Sequence, residues 1–195
     1  MTCTYGTVTC DITVSGSMAD AKSIAPSFTI STAQKSDAEA IEQLVNSAYR
    51  GDSSRKGWTH EADMFDGVRT DLARVQALIA SDLSSIFIAR DAKTDAIIGT
   101  VLFERKDRKG YVGMLSVNPD LQNAGLGKAL LLHCEKVARE LGFEALEMSV
   151  IKQRKELVEF YIRRGFQEVS CVPLPFASRI QGLEFLTLRK DLPVS

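Results

Sequence analysis

One segment narrows the choice of fold more than any other: Leu115-Ser116-Val117-Asn118-Pro119-Asp120-Leu121-Gln122-Asn123-Ala124-Gly125-Leu126-Gly127-Lys128. A strand-like apolar run ends, Pro119 turns the chain, and a loop with two glycines leads straight into an amphipathic stretch. There Leu126, Leu130, His133, Val137 and Leu141 recur at helical spacing, and Gly142 is placed to end the helix. Backbone N–H groups in the first turn of a helix have no partner within it, and they sit at the positive end of its dipole. Glycine removes the Cβ that would keep a ligand away from them. Such a turn suits a phosphate or pyrophosphate. Two better-known anion loops are excluded. The pattern G-x-x-x-x-G-K-[ST] fails because Gln122 stands at its first glycine and Ala129 at its hydroxyl. The pattern G-x-G-x-x-G fails at Leu130. On these residues alone, an ordinary glycine-containing helix start stays open.

The elements around this turn are read from periodicity. Residues 28–32 form a short strand. Ser36 and Asp37 offer an N-cap before Ala38, Ile41, Leu44, Val45 and Ala48, which share a helical face. Val68, Leu72, Val75 and Ile79 mark a second helix. Strands follow at residues 85–90, 96–104 and 111–117, joined by short polar turns that predict antiparallel hairpins. Beyond the glycine turn and its helix come a strand at 143–151, a helix at 156–164 stopped by Gly165, and strands at 166–172 and 184–189. The order is β-α-α-β-β-β-α-β-α-β-β, an α/β chain. Residues 1–26, rich in Thr, Ser, Ala and Gly, read as a flexible tail ahead of a domain spanning 27–192.

Composition removes several function classes. The net charge is −1, so no global field draws the chain to nucleic acid or an acidic membrane. No apolar run reaches the ~18 residues of a membrane span. The start has neither a basic nor an apolar leader segment, which points to the cytoplasm. The cysteines Cys3, Cys10, Cys134 and Cys171 form no C-x-x-C pair and no zinc spacing. They read as free thiols, and no metal is expected.

Gln122-x-x-Gly125-x-Gly127 resembles the Q/R-x-x-G-x-G/A motif of the GNAT N-acetyltransferase superfamily, on the same strand–turn–helix context. Farther on, Glu159-Phe160-Tyr161-Ile162-Arg163-Arg164-Gly165-Phe166 is similar to that family's L-Y-x-x-x-G-F segment. The resemblance runs from about Phe28 to Leu192. It implies a mixed, mostly antiparallel sheet of six to seven strands flanked by helices, and acetyl transfer from acetyl-CoA to a primary amine. It also implies that amides of Asn123, Ala124, Gly125, Leu126 and Gly127 hold the coenzyme pyrophosphate, with Gln122 shaping the turn. Leu115 and Val117 would pair with pantetheine as an added strand. Lys128, Lys155 and Arg163 would rim the phosphates.

The chemistry follows from the same likeness. Tyr161 takes the family position of the general acid, and a free phenol with a pKa near ~10 is protonated at neutral pH. Periodicity alone would make it a core aromatic beside Leu157. The base is less determined. Ser149 stands where some family members carry a glutamate, so Glu147, two residues away on the same strand face, is the first candidate. Glu61 and Asp63 follow, and a water wire without a dedicated base is the alternative. Arg154 replaces a common asparagine, which suggests an anionic group on the substrate or an extra coenzyme contact. Trp58 and Tyr49 are expected to line the acceptor pocket. The partner expected is a small-molecule amine, with the chain a monomer or homodimer. Two rival functions stand beside this one. A module that senses acyl-CoA without turnover is favoured by Ser149. A protein N-acetyltransferase would need an open groove, whereas Trp58 and the loop at 173–182 suggest a closed pocket.

Overall fold

The computed structural model describes residues 27–50, 52–57, 59–122, 124–175 and 178–193. The tail expected at 1–26 lies outside them. The elements are β1 (Phe28–Thr32), α1 (Ala38–Tyr49), α2 (Leu72–Ala80), β2 (Ser84–Asp91), β3 (Ile97–Lys106), β4 (Lys109–Val117), α3 (Leu126–Glu140), β5 (Ala145–Ile151), α4 (Lys155–Ile162), β6 (Gln167–Pro173) and β7 (Glu184–Asp191). The strands form a seven-stranded sheet in the order β1-β2-β3-β4-β5-β7-β6. Every neighbouring pair is antiparallel except β4 with β5. This is the mixed, mostly antiparallel sheet that the sequence leads one to expect.

Period-2 alternation sorts the side chains between the two faces. On β2, Ile86 and Ile88 join Ile41, Val45 and Val75 beneath α1 and α2. Phe87 and Ala89 point the other way, into the larger core beneath α3 and α4 with Leu130, Cys134 and Phe166. The result is helix–sheet–helix layering, with most of the apolar area under α3.

Two local readings are refined. Asp37 takes the N-cap position of α1, as read, but its side chain does not bond to the helix. It accepts from the Gln34 N–H at 2.8 Å and pairs with Arg90 on β2, so a short 3₁₀ turn at Lys35–Asp37 precedes the helix. The second helix starts at Leu72, because Asp71 caps it by accepting from the Arg74 N–H at 2.8 Å. Val68 falls outside that helix and is exposed.

The feature that positions the site is a splay in the sheet. β4 and β5 pair only at Lys109↔Ala145, Gly110↔Leu146 and Tyr111↔Glu147. Beyond Tyr111 the two parallel strands part. β4 also carries a bulge: its register against β3 skips Met114 and Leu115, set against Val101 alone. Met114 takes φ +46°, a conformation that costs a non-glycine residue about 1–3 kcal/mol. The Ser116 hydroxyl donates to the Met114 carbonyl at 3.0 Å and ties the bulge down.

Candidate active site

Two cavities lie beside the parted strands. One cavity, about 360 Å³, runs from Leu115 and Val117 to the start of α3 and across to α4. A second, about 380 Å³, lies under β4, β5 and the segment after α1. Tyr49, Leu115, Arg154, Leu157 and Tyr161 line both, so the two cavities meet at one point, at the bulge.

The first cavity is built for an anion at its far end. Gly125 precedes α3 at φ +85°, a left-handed conformation in which a Cβ is strained. It leaves the first amides of α3 open toward the cavity. Gly127 follows in the first turn, and Gln122 Nε2 donates to the Val117 carbonyl at 3.4 Å, closing the turn. Gln122, Gly125, Leu126, Gly127 and Lys128 all line this cavity with Leu115 and Val117. Ala124 packs against the core instead. Asn123 lies outside the described residues. On the opposite wall Arg163 and Arg164 add positive charge. Arg164 lies over the Phe160 ring at 3.4 Å and donates to its carbonyl at 2.6 Å. Burial, then the neighbouring Arg163, lowers its pKa. The cleft has the helix start and cations at one end, an apolar channel along Val117, Leu157 and Phe160, and the bulge at the other.

Tyr161 sits at the meeting point on α4, 5% exposed, its ring edge-on to Phe160 and Phe166. Burial drives its pKa well above the ordinary phenol value, Tyr49 adding to the rise and Arg154 opposing it. Tyr49, on α1, reaches the Leu115 carbonyl with its hydroxyl at 3.4 Å. Its pKa is also raised by burial, with Arg69 pulling the other way. Cys134 lines neither cavity, and burial pushes its thiol pKa up.

Arg154 differs from its sequence reading. It is buried, and its charge is met within the protein. Nη1 donates to Glu61 Oε1 at 3.0 Å, while Nε and Nη2 donate to Thr59 Oγ1 at 3.1 and 2.8 Å. Glu61 is itself buried, with Arg50 at 3.5 Å on its other oxygen. Thr59 also donates to Glu156 at 2.9 Å. Arg154 is thus a clamp that fixes the segment after α1 against α4. Removing one member of such a buried pair strands a charge, at a cost of about 3–5 kcal/mol.

Glu147 is likewise placed elsewhere. It stands where β4 and β5 still pair, lines neither cavity, and gives its carboxylate to Lys109 at 2.9 Å and Arg189 at 3.5 Å. Two residues farther on, past the point of splay, Ser149 faces the second cavity. Sharing a strand face did not put Glu147 in the cleft, because the strands part between the two positions. Trp58 lies outside the described residues. The second cavity also holds Arg69, Arg74, Glu104, Lys106 and Tyr111, none of which the sequence singled out. They come from a loop, a helix start and two strands, and no spacing rule links them. Among the described residues there is no group of three His, Cys, Asp or Glu able to hold a metal, and no helix is long and apolar enough to cross a membrane.

Comparison with known proteins places this geometry. The sequence profile described as "Acetyltransferase (GNAT) family" matches residues 39–166. Mycothiol acetyltransferase of Propionibacterium freudenreichii is 34% identical over 93 residues, 46% of this chain and 30% of that protein. The tRNA(Met) cytidine acetyltransferase of Aeropyrum pernix is 33% identical over 81 residues, 42% of this chain and 11% of its own. The chain thus aligns with a third or less of the length of these relatives. Among solved structures, the ribosomal-protein-S18-alanine N-acetyltransferase of Escherichia coli superposes with a TM-score of 0.68 at 15% identity, over 87% of this chain and 96% of that one. An acetyltransferase of Salmonella typhimurium, solved with its cofactor acetyl-CoA, gives 0.66 at 19% identity, over 86% and 95%. At such identities these two establish a shared fold.

Proposed function

The chain belongs to the acetyltransferase (GNAT) family, and on that premise we propose that it transfers an acetyl group from acetyl-CoA to the primary amine of a small molecule within a ternary complex. The observation that carries this is the junction: two cavities beside the splayed strands share Tyr161 and the β4 bulge. When bound, acetyl-CoA supplies the acetyl group activated as a thioester. The amides at the start of α3, with Lys128 and Arg163 nearby, hold the pyrophosphate end. The backbone of Leu115 and Val117 faces the cleft left by the missing β5 partner and takes the pantetheine arm as an added strand. Met114 and Leu115, released from β3 by the bulge, offer backbone N–H groups where negative charge develops on the carbonyl oxygen.

Tyr161 holds a proton at its hydroxyl for the departing sulfur, and its raised pKa keeps that proton in place. Among the described residues no thiol lines either cavity, which supports direct transfer without a covalent enzyme intermediate. Both carboxylates in the second cavity are engaged, Glu61 with Arg154 and Arg50, Glu104 with Lys106 at 3.9 Å. The amine therefore gives its proton to water rather than to Glu147 or Glu61. A cavity of about 380 Å³ suits a small acceptor.

Thiol release measured across polyamines, arylalkylamines, amino acids, aminoglycosides and peptides tests this. Small amines are expected to release coenzyme A faster than any peptide. Tight acetyl-CoA binding without thiol release from any of them would make the chain an acyl-CoA-binding module.

A further inference from the structure

The second cavity is lined by the cations Arg69, Arg74, Lys106 and Arg154 and by the carboxylates Glu61 and Glu104. Two of these cations are already matched, Arg154 by Glu61 at 3.0 Å and Lys106 by Glu104 at 3.9 Å. Among the described residues, neither Arg69 nor Arg74 has a carboxylate partner. Arg69 is half-buried, and its guanidinium rests over the Tyr49 ring at 5.2 Å. Arg74 occupies the first turn of α2, where a cation opposes the helix dipole. Asp71 spends its side chain on capping that helix through the Arg74 N–H. Arg74 is exposed and Arg69 half-buried, so both guanidiniums keep donors that an oxyanion entering the cavity can take in charge-assisted bonds.

We propose that Arg69 and Arg74 bind a compact anionic group on the acceptor, so that the substrate is a small amino acid-like molecule carrying a carboxylate or similar oxyanion. This rests on reading the second cavity as the acceptor site. Tyr49 sets the geometry. One face of its ring carries Arg69, and its hydroxyl reaches the Leu115 carbonyl at 3.4 Å, at the junction. An anion held by Arg69 therefore lies beside the ring whose hydroxyl is at the junction, so the acceptor's two functional groups are a short distance apart. The selectivity assigned to Arg154 from sequence passes to these two residues, because Arg154 already has Glu61.

The test compares short ω-amino acids with their carboxamides: glycine, β-alanine and 4-aminobutyrate, each against its amide. Two readouts are taken: kcat/KM by thiol release, corrected for the fraction of neutral amine, and calorimetric binding to the coenzyme A-loaded protein. At least one acid is expected to exceed its amide by about 10–100-fold, the effect of one or two charge-assisted contacts. In the Arg69→Gln/Arg74→Gln double variant the acid-to-amide ratio should fall toward one, with coenzyme affinity retained. Arg74→Lys should keep part of the preference. Equal use of acids and amides by the wild type overturns the proposal, as does a preference that survives in the double variant. A peptide with an acidic N-terminal residue that outruns every small acid overturns it in favour of a protein acceptor. Arginine-dependent binding of acids without thiol release would leave this inference standing and remove the proposed transferase activity instead.

Discussion

A hydroxyl sealed from water keeps its proton to higher pH, and that governs what Tyr161 can do. The group is useful as an acid only while protonated. A phenol at its ordinary 10.0 would begin to fail in alkaline assays. Burial raises the pKa, so in the proposed role the acid would work throughout the accessible range, with its descending limb above about pH 10. The limb that an unperturbed tyrosine would produce is therefore not expected in the rate profile. Tyr161→Phe keeps the ring and its edge-on contacts with Phe160 and Phe166. Folding should survive, while turnover drops by about 10²–10⁴-fold. Coenzyme affinity should hardly move if the proton matters only in the transition state. Near-full turnover in the phenylalanine variant would reduce Tyr161 to a packed aromatic. A wild-type limb close to pH 9 that vanishes in the variant would contradict the raised pKa.

The glycine turn acts as an element, and its two glycines do different work. At Gly125 the φ of +85° makes any side chain strained, although nothing lies within 4 Å of an added Cβ. At Gly127 the backbone is ordinary helix, and an added Cβ would meet only Val117 at 3.8 Å and Phe160 at 3.9 Å, both normal contacts. Gly127→Val should therefore leave the fold nearly intact yet crowd the amides proposed to receive the pyrophosphate. Losing one or two such charge-assisted bonds corresponds to roughly 10–100-fold in coenzyme affinity. Titration calorimetry on the folded variant checks this, and unchanged affinity would place the pyrophosphate elsewhere. Gly125→Val should lose both affinity and stability. Elements of this kind were legible in the sequence because their signal is local. A strand, a proline, two glycines and a 3.6-residue period announce the turn without reference to the rest of the chain. The partners of Arg154 and Glu147 were not legible. Glu61 lies 93 positions from Arg154, on a segment without periodicity, and only packing brings them together. Glu147 was misplaced because period-2 alternation tells which face a residue occupies, not where two strands part. The Asp37 carboxylate is taken by the Gln34 N–H and Arg90 rather than by α1, and Val68 keeps the helical period of α2 but precedes its Asp71 cap.

At the scale of the whole molecule, the sheet is two halves hinged on a short seam. β1 to β4 form one half and β5 to β7 the other, joined by the pairs Lys109↔Ala145, Gly110↔Leu146 and Tyr111↔Glu147. Above that seam the halves meet across the first cavity, with Val117 and Gly125 on one wall and Leu157 and Phe160 on the other. There β4 keeps its pairing with β3, but among the described residues its β5-side edge has no strand beside it. In the proposed complex a coenzyme arm along Leu115 and Val117 would supply that missing neighbour and touch both halves at once. Such a site exists only in the folded chain, so binding must stabilise the whole fold by mass action. At a ligand concentration about 100 times Kd the gain is about 2.7 kcal/mol. For a chain of this size each kcal/mol moves the melting midpoint by roughly 2–4 °C, which makes the expected rise about 5–10 °C. Thermal scans with acetyl-CoA at a calorimetrically calibrated concentration check this, with Gly127→Val as the control that should shift less at the same concentration. An adenine nucleotide without the pantetheine arm occupies the helix end alone. At the same multiple of its own Kd it should raise the midpoint equally, yet reaching that multiple should take far more ligand, because it gives up every contact along the seam. A midpoint unmoved by acetyl-CoA at 100 times Kd would mean that the ligand also binds the unfolded chain. Equal affinity for the nucleotide and acetyl-CoA would mean that the parted strands contribute nothing to holding the arm.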